Sequence, residues 1–181
     1  MGFDFLLPFD RAVSQFVLSL RSTVADSVMT VVTSAGDAGA VWIALAIGMI
    51  CFKQTRTTGL LMLAAIAATF VISTLGLKHL FARPRPCVAF PVAGLYPCPS
   101  GFSFPSGHSI SSFAAAGVLF FRKAAGRWFA VISAVLIAFS RVYLNVHYCT
   151  DVLTGALLGA GAAYLTVRLY EMKKAGVWPA F

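Results

Sequence analysis

The sequence predicts an all-α, polytopic membrane helix bundle, and three features support this. Of its 181 residues, 59% are hydrophobic and only 11% are charged, whereas charged residues make up about a quarter of a soluble domain. Long apolar runs alternate with short polar or proline-rich segments. The runs lack the two-residue alternation of a closed barrel, and hydrocarbon offers backbone groups no water, so we expect each run to be a helix.

Five apolar runs are clear enough to predict five transmembrane helices. Two of them have the roughly 20 residues that cross a bilayer, and the other three need flanking residues to complete the crossing. They cover residues 38–52, 58–77, 109–121, 128–144 and 152–170.

The N-terminal region differs from these runs because residues 9–36 mix apolar and charged side chains. This composition is typical of one or two amphipathic helices at a membrane interface, and a short sixth span is the alternative. No basic region of a secretory signal precedes it, so we expect no cleaved targeting segment. The chain thus divides into N-terminal interfacial helices (1–36), a transmembrane core (37–170) and a cytoplasmic tail (171–181).

Basic residues in the connecting segments predict the orientation. With five spans, three basic groups fall on one side, which the positive-inside rule makes cytoplasmic. The loop 82–106 and the turn near 147–151 then face outward, towards the periplasm if the chain lies in a bacterial inner membrane. The three groups are Lys53 with Arg56, Arg122 with Lys123 and Arg127, and Arg168 with Lys173 and Lys174.

The charge balance indicates the kind of partner. Fourteen basic residues against six acidic ones give a net charge of +8, which fits a protein that meets anionic headgroups or phosphorylated substrates. The high hydropathy argues against the other common partner of a basic chain, nucleic acid.

Three polar clusters lie at predicted helix ends on the outer face. Ionisable residues beside membrane spans are costly and indicate function by default. Each also has an ordinary explanation on its own, such as snorkelling for Lys78 or interfacial anchoring for Arg141, so their combined order and spacing carry the argument. The clusters are Lys78 with Arg85-Pro86, then Pro105-Ser106-Gly107-His108, then Ser140-Arg141 with His147 and Asp151.

This combination resembles the type-2 phosphatidic acid phosphatase superfamily, which includes bacterial membrane lipid phosphatases and soluble vanadium haloperoxidases. The resemblance covers about residues 35–170, with all three family motifs complete. It implies a lipid phosphate phosphatase working in the bilayer, and analogy with compact members favours undecaprenyl diphosphate as the substrate.

Several alternatives stay open at this point. The substrate could instead be phosphatidylglycerophosphate, phosphatidic acid or lipid A 1-phosphate, and some family members transfer the phosphoryl group to a second lipid. An inactive scaffold or transporter is the alternative from a different class. The apolar spans argue against a soluble haloperoxidase, and the sequence leaves the oligomeric state undetermined.

The first and third clusters supply positive charge for phosphate binding. Phosphoryl transfer depends mainly on positioning and on cations around the equatorial oxygens. Lys78, Arg85 and Arg141 are the three candidates, and the two guanidinium groups can bind phosphate oxygens bidentately.

The second cluster precedes an apolar helix. Ser106 is positioned to act near the N-cap, and the N–H groups of Gly107 and His108 then point towards a bound anion. Since histidine titrates near neutral pH, His108 is also the candidate that protonates the leaving oxygen and later activates water.

The third cluster supplies the nucleophile. His147 and Asp151 are four residues apart and share a face if this turn is helical. The carboxylate can then hold one ring nitrogen as N–H while the other attacks phosphorus, giving a phosphohistidine intermediate. His79 lies on a different helix face and is interpreted as interfacial.

We expect no metal and no other cofactor. Two-metal phosphatases need several carboxylates, and only Asp151 lies within the outer clusters. The cysteines also lack zinc-type spacing.

Cys87 and Cys98 lie in the outer loop, where an oxidising compartment permits a disulfide. Cys149 is the competing partner.

On the last apolar run, Gly155, Gly159 and Ala163 form a small-residue stripe typical of close helix packing.

Overall fold

The described residues of a computed structural model, 5–92 and 95–177 with backbone alone at 74 and 75, contain helices and no strands. The all-α prediction is therefore confirmed for this part of the chain. The helices are α1 (Leu7–Ser19), α2 (Thr23–Ala35), α3 (Ala40–Ile50), α4 (Arg56–Phe70), α5 (Lys78–Phe81), α6 (Pro86–Ala89), α7 (Gly107–Phe121), α8 (Arg127–Tyr143) and α9 (Cys149–Lys174), with a 3-10 turn at Asp37–Gly39 and a π-helical segment at Val71–Leu77.

Helix α7 lies at the centre and packs against α4, α8 and α9, while α3 packs against α4. Buried side chains such as Met62, Ala114 and Val118 fill the core between these helices. Within this core the indole N–H of Trp42 donates to Ser112 Oγ at 2.8 Å. The second cluster of motif residues, Pro105 to His108, thus leads into a helix that packs against three others.

Small residues set the distance between α7 and α9. A Cβ atom added to Gly159 would lie 2.4 Å from the carbonyl oxygen of Ile110, and one added to Gly155 would lie 2.8 Å from that of Ser106. Ala163, one turn further on, is fully buried. The predicted packing role of this stripe is confirmed, because the two backbones are in direct contact here.

The N-terminal region forms two helices, α1 and α2, bent by 120° relative to each other. α1 packs against α8 and α9, and α2 packs against α8. Asp26 joins the pair to α8 because its carboxylate accepts from Arg21 at 2.8 Å and from the Tyr143 hydroxyl at 2.8 Å. An interfacial position of this pair, and the division of the chain at residue 36, stay predictions.

Among the described residues, two helical stretches are long and apolar enough to cross a membrane: Arg56–Ala89, and α9 at Cys149–Lys174. The bent pair of α1 and α2 would be a third if it counts as one span. Helices α3 and α7 are apolar but have only 11 and 15 residues. The number of five spans is therefore not confirmed, although the apolar character of these segments is.

The connecting segments lie at two opposite ends of the helix bundle. The loop from α3 to α4, the turn from α7 to α8 and the end of α9 share one end, where Arg122 Nη1 lies 3.9 Å from Glu171 Oε1. α9 continues to Lys174, beyond the predicted limit of the last run at residue 170. The three basic groups lie at this end, and the three motif clusters lie at the opposite one.

Replacing Gly159 by Ala should destabilise the bundle, because the new methyl group would push against the α7 backbone; overpacking of this kind costs about 1–3 kcal/mol. Gly161→Ala is the matched control on the same helix, since a Cβ there meets nothing within 4 Å. Thermal unfolding of both variants in detergent measures the difference. Equal unfolding temperatures would contradict the close α7–α9 contact.

Candidate active site

His147 lies in the turn between α8 and α9 and is 2% exposed. Its ring Nε2 is 3.0 Å from Nη1 of Arg85, and its Nδ1 is 3.4 Å from Ser103 Oγ and 3.6 Å from Oδ2 of Asp151. An arginine can only donate, so Nε2 accepts and the proton of the neutral ring resides on Nδ1. The imidazole thus presents its lone pair on the side of Arg85.

The turn that carries His147 is formed by local sequence. Asn145, two residues after the end of α8, has a φ of 56°, a left-handed conformation that Asn tolerates better than most residues. The backbone N–H of His147 then donates to the carbonyl of Arg141 at 3.2 Å. These contacts direct the imidazole back towards the end of α8.

A shared helix face does not bring His147 and Asp151 together, because α9 begins only at Cys149. Asp151 instead caps that helix, with its Oδ2 accepting the backbone N–H of Tyr148 at 2.9 Å. An acidic side chain in the first turn is also favoured by the helix dipole. N-capping, and not four-residue helical spacing, therefore places the carboxylate next to His147.

Burial lowers the pKa of His147 from its usual value near 6.5 to about 3, and the charges of Arg85 and Arg141 act in the same direction. The negative charge of Asp151, whose Oδ2 lies 3.6 Å from Nδ1, opposes them. The ring is therefore neutral at pH 7, the protonation state that a nucleophilic imidazole needs.

Sequence reasoning missed three residues that hold Asp151 and its surroundings. Arg83 donates from Nη1 to Asp151 Oδ1 at 2.6 Å and from Nη2 to Asp10 Oδ2 at 2.7 Å. Ser103 Oγ donates to Asp151 Oδ2. Arg83 stands in the Arg-Pro-Arg-Pro run, so its position was visible in the sequence, whereas no local pattern marks Asp10 or Ser103.

Arg85, a predicted phosphate ligand, is 5% exposed and held by the loop before α7. Its Nε donates to the carbonyl of Gly101 at 3.1 Å and its Nη2 to that of Ser100 at 3.3 Å, while Nη1 donates to that of Val146 at 3.0 Å. These carbonyls fix the guanidinium with Nη1 directed at His147. A phosphoryl group bound to Nε2 of His147 would therefore lie next to the positive charge of Arg85.

Arg141, the second predicted arginine, is 3% exposed and donates from Nη1 to Thr33 Oγ1 of α2. Its Nε is buried and has no hydrogen-bond partner among the described residues. A buried donor left unsatisfied costs about 1–3 kcal/mol. An anionic oxygen bound beside Arg141 would remove that cost, which fits its predicted role.

The second cluster forms a pocket at the start of α7. Ser106 is its N-cap residue, accepting from the backbone N–H of Ser109 at 3.4 Å. Gly107 and His108 follow in the first turn, where backbone N–H groups lack helical partners and favour anions. Lys78, Gly107 and His108 line a cavity of about 240 Å³.

His108 has a partner that the sequence did not indicate. Its Nε2 lies 2.9 Å from Oδ1 of Asp37, in the 3-10 turn after α2. A carboxylate accepts, so this nitrogen carries the proton and Nδ1 is the one available for proton transfer. His79 is exposed and packs its ring edgewise against Phe102 at 5.9 Å, outside these contacts.

The predicted residues form two adjoining groups. One is the buried cluster of Arg85, His147 and Asp151, and the other is the cavity lined by Lys78 and His108. The charge of Arg141 acts on both histidines and on Lys78, which links the two groups electrostatically. Within residues 5–92 and 95–177 no three His, Cys, Asp or Glu side chains are grouped to hold a metal ion.

The loop between the first two clusters carries a disulfide between Cys87 and Cys98, whose Cα atoms are 5.8 Å apart. Cys149, the alternative partner, is a free thiol, as is Cys51. The disulfide lies close in sequence to Arg85 on one side and to its acceptors Ser100 and Gly101 on the other. It therefore limits how far the guanidinium and its carbonyl partners can separate.

Comparison with known proteins defines the family of this chain. The PAP2 superfamily model matches residues 57–175, and the chain belongs to this superfamily. Its fold resembles the crystal structure of a transmembrane PAP2-type phosphatidylglycerolphosphate phosphatase from Bacillus subtilis, with a TM-score of 0.78 and 30% identity over 94% of this chain and 88% of that one.

Two named relatives are similar over most of the chain. An undecaprenyl-diphosphatase of Sulfolobus acidocaldarius is 33% identical over 131 residues, 71% of this chain and 63% of the archaeal protein. An undecaprenyl-diphosphatase of Bacillus subtilis is 29% identical over 159 residues, 86% of this chain and 80% of that protein. The chain thus spans a little under two thirds of the archaeal relative.

His147 should stay neutral far below the pH at which an ordinary histidine, with a pKa near 6.5, is protonated. Its pKa of about 3 places protonation below pH 5. Nitrogen NMR of ¹⁵N-histidine-labelled protein in detergent, assigned by comparison with His147→Gln, should show neutral imidazole shifts from pH 8 to pH 5. A midpoint above pH 5 would contradict this electrostatic description.

Mass spectrometry of unreduced, alkylated protein isolated from membranes should find Cys87 linked to Cys98 and Cys149 alkylated. Replacing both linked cysteines by Ser should destabilise the protein by roughly 3 kcal/mol in the chain-entropy model. It should also lower phosphate release, because the carbonyl partners of Arg85 lose their restraint. Free thiols at both positions in isolated protein would refute the pairing.

Proposed function

We propose that the chain is a membrane phosphatase that removes the terminal phosphate of a lipid phosphate or diphosphate, with undecaprenyl diphosphate as the favoured substrate. The observation that carries this proposal is the buried, neutral His147, with Asp151 on one ring nitrogen and Arg85 on the other. A neutral ring nitrogen beside a fixed cation suits attack on a phosphoryl group.

In the first step Nε2 of His147 attacks phosphorus, and the bond from phosphorus to the bridging oxygen breaks. The proton on Nδ1 remains there, facing Asp151, whose negative charge stabilises the positive charge that the ring acquires. His108 enters this step doubly protonated, gives its Nδ1 proton to the leaving oxygen and keeps its Nε2 proton directed at Asp37. The products are a phosphohistidine and a lipid with one phosphate fewer.

In the second step His108 accepts a proton from water, whose oxygen attacks phosphorus. The bond between phosphorus and nitrogen breaks, inorganic phosphate leaves, and His147 returns to its neutral form. The same phosphoryl group is attacked by His147 in the first step and by water in the second. One arrangement of cations around its oxygens therefore serves both steps. Lys78, Arg85 and Arg141 are that arrangement, and the unsatisfied Nε of Arg141 is one of the donors.

Similarity to two undecaprenyl-diphosphatases supports the choice of substrate. The fold similarity to a phosphatidylglycerolphosphate phosphatase favours phosphatidylglycerophosphate as the second candidate. Both lipids carry a terminal phosphate on a long apolar anchor, which suits a site at the end of an apolar bundle. The basic groups at the opposite end of the bundle support a site that opens on the outer face of the cytoplasmic membrane.

The proposal is tested by phosphate release from purified protein in detergent with EDTA present. The substrates are undecaprenyl diphosphate, phosphatidylglycerophosphate, phosphatidic acid and lipid A 1-phosphate. We expect release from undecaprenyl diphosphate to be fastest and unaffected by EDTA. No release from any of the four would refute the phosphatase, and loss of activity in EDTA would refute metal independence.

His147→Gln should reduce phosphate release to below a few per cent of wild type, because no other described imidazole lies between a carboxylate and Arg85. Wild-type protein incubated with ³²P-labelled substrate and quenched in alkaline detergent should carry label that later acid treatment removes, and the variant should carry none. His79→Gln is the control, since that ring is exposed and outside the cluster. Labelling of His147→Gln would exclude His147 as the nucleophile.

A further inference from the structure

Asp10 on α1 is fully buried, although it is one of only six acidic residues and lies in a helix with exposed apolar side chains. Its Oδ2 accepts from Arg83 Nη2 at 2.7 Å. Oδ2 also accepts from Thr150 Oγ1 at 2.6 Å, and Oδ1 accepts from the backbone N–H of Thr150 at 3.0 Å. A buried carboxylate persists only with such partners, and all of these lie next to Asp151.

Arg83 joins the two carboxylates, with Nη1 bound to Asp151 at 2.6 Å and Nη2 bound to Asp10. It is 4% exposed, and its guanidinium lies 3.9 Å above the ring of Tyr148. The planar group is therefore fixed in position by an aromatic face and by two ion pairs. Asp10, Arg83 and Asp151 form one ionic triad that reaches from the N-terminal helix to His147.

The charge of this triad has a consequence for His147. Arg83 and Asp151 alone would sum to zero, which would weaken the stabilisation of a positively charged imidazole. Asp10 adds a second negative charge, so the triad as a whole carries −1 beside the ring. Since the positive charge of Arg85 lies on the other side of His147, this negative balance matters most when the phosphohistidine forms.

We propose that Asp10 is a positioning residue of the active site, which through Arg83 keeps Asp151 oriented towards His147 and keeps the triad negatively charged. This inference rests on the proposed function, because it assigns a role relative to the nucleophile. The N-terminal helix is then part of the catalytic unit, and the site is complete only when α1 packs against α9.

The test is a double-mutant cycle on the full chain in detergent, with undecaprenyl diphosphate as substrate. Asp10→Asn keeps the shape of the side chain and removes its charge, so we expect kcat to fall about 10- to 100-fold while KM changes less than about threefold. Asp151→Asn should lower kcat on the order of 10²- to 10⁴-fold, by analogy with loss of the orienting acid in a catalytic triad. In the Asp151→Asn background, Asp10→Asn should cost less than about threefold more, because its effect passes through Asp151.

Asp26→Asn is the matched control, removing the same charge from the other N-terminal helix, where Asp26 pairs with Arg21. It should leave kcat unchanged. Asp10→Glu keeps the charge in a larger side chain, so it should retain more activity than Asp10→Asn if charge is the function and less if packing is. Asp10→Glu therefore distinguishes a role of the charge from a role of packing even where Asp10→Asn folds poorly.

Equal kcat values for Asp10→Asn and Asp26→Asn would overturn the inference, and so would effects of Asp10→Asn and Asp151→Asn that multiply independently. Failure of the proposed function gives a different result, in which His147→Gln remains active or the wild type releases no phosphate. A wild-type enzyme that needs His147 and Asp151 but tolerates Asp10→Asn would refute only the role of Asp10.

Discussion

The carboxylate of Asp151 is the group on which the arrangement of the site depends. It is fully buried, and an ionised carboxylate away from water costs several kcal/mol unless hydrogen bonds and an opposite charge replace its hydration. Those partners come from separate segments: Arg83 and Ser103 from the long loop and the Tyr148 N–H from the start of α9. The backbone carbonyl of the same residue accepts from Ser106. The hydrogen bonds that satisfy Asp151 thus bring all three motifs together.

Close packing of α7 against α9 brings these partners within reach of Asp151. The second turn of α9 lies against the start of α7, because Gly155 leaves no side chain between its backbone and the carbonyl of Ser106. A larger residue there would separate the capped end of α7 from Asp151. The small-residue stripe is therefore a condition for the site as well as for stability, since it places two helix N-termini side by side.

The charges of the site are balanced around a neutral His147. Negative charge from Asp151 lies on the Nδ1 side, and positive charge from Arg85 and Arg141 acts on the ring as well. Burial and these cations favour the neutral ring before reaction, while the carboxylate favours the positive ring that follows phosphoryl transfer. The same surroundings thus suit both states, provided that an anionic phosphate offsets the cations.

The sequence by itself determined the helical class, the apolar segments, the capping role of Ser106 and the identity of the motif residues, because each depends on local composition or short spacing. It also singled out Cys87 and Cys98. Tertiary structure decided the rest: Arg83 bridges residues 10 and 151, and Arg141 reaches Thr33 across 108 positions. No periodicity encodes such contacts, since the partners of a buried charge are selected by whichever segments the packed helices bring within about 3 Å of it.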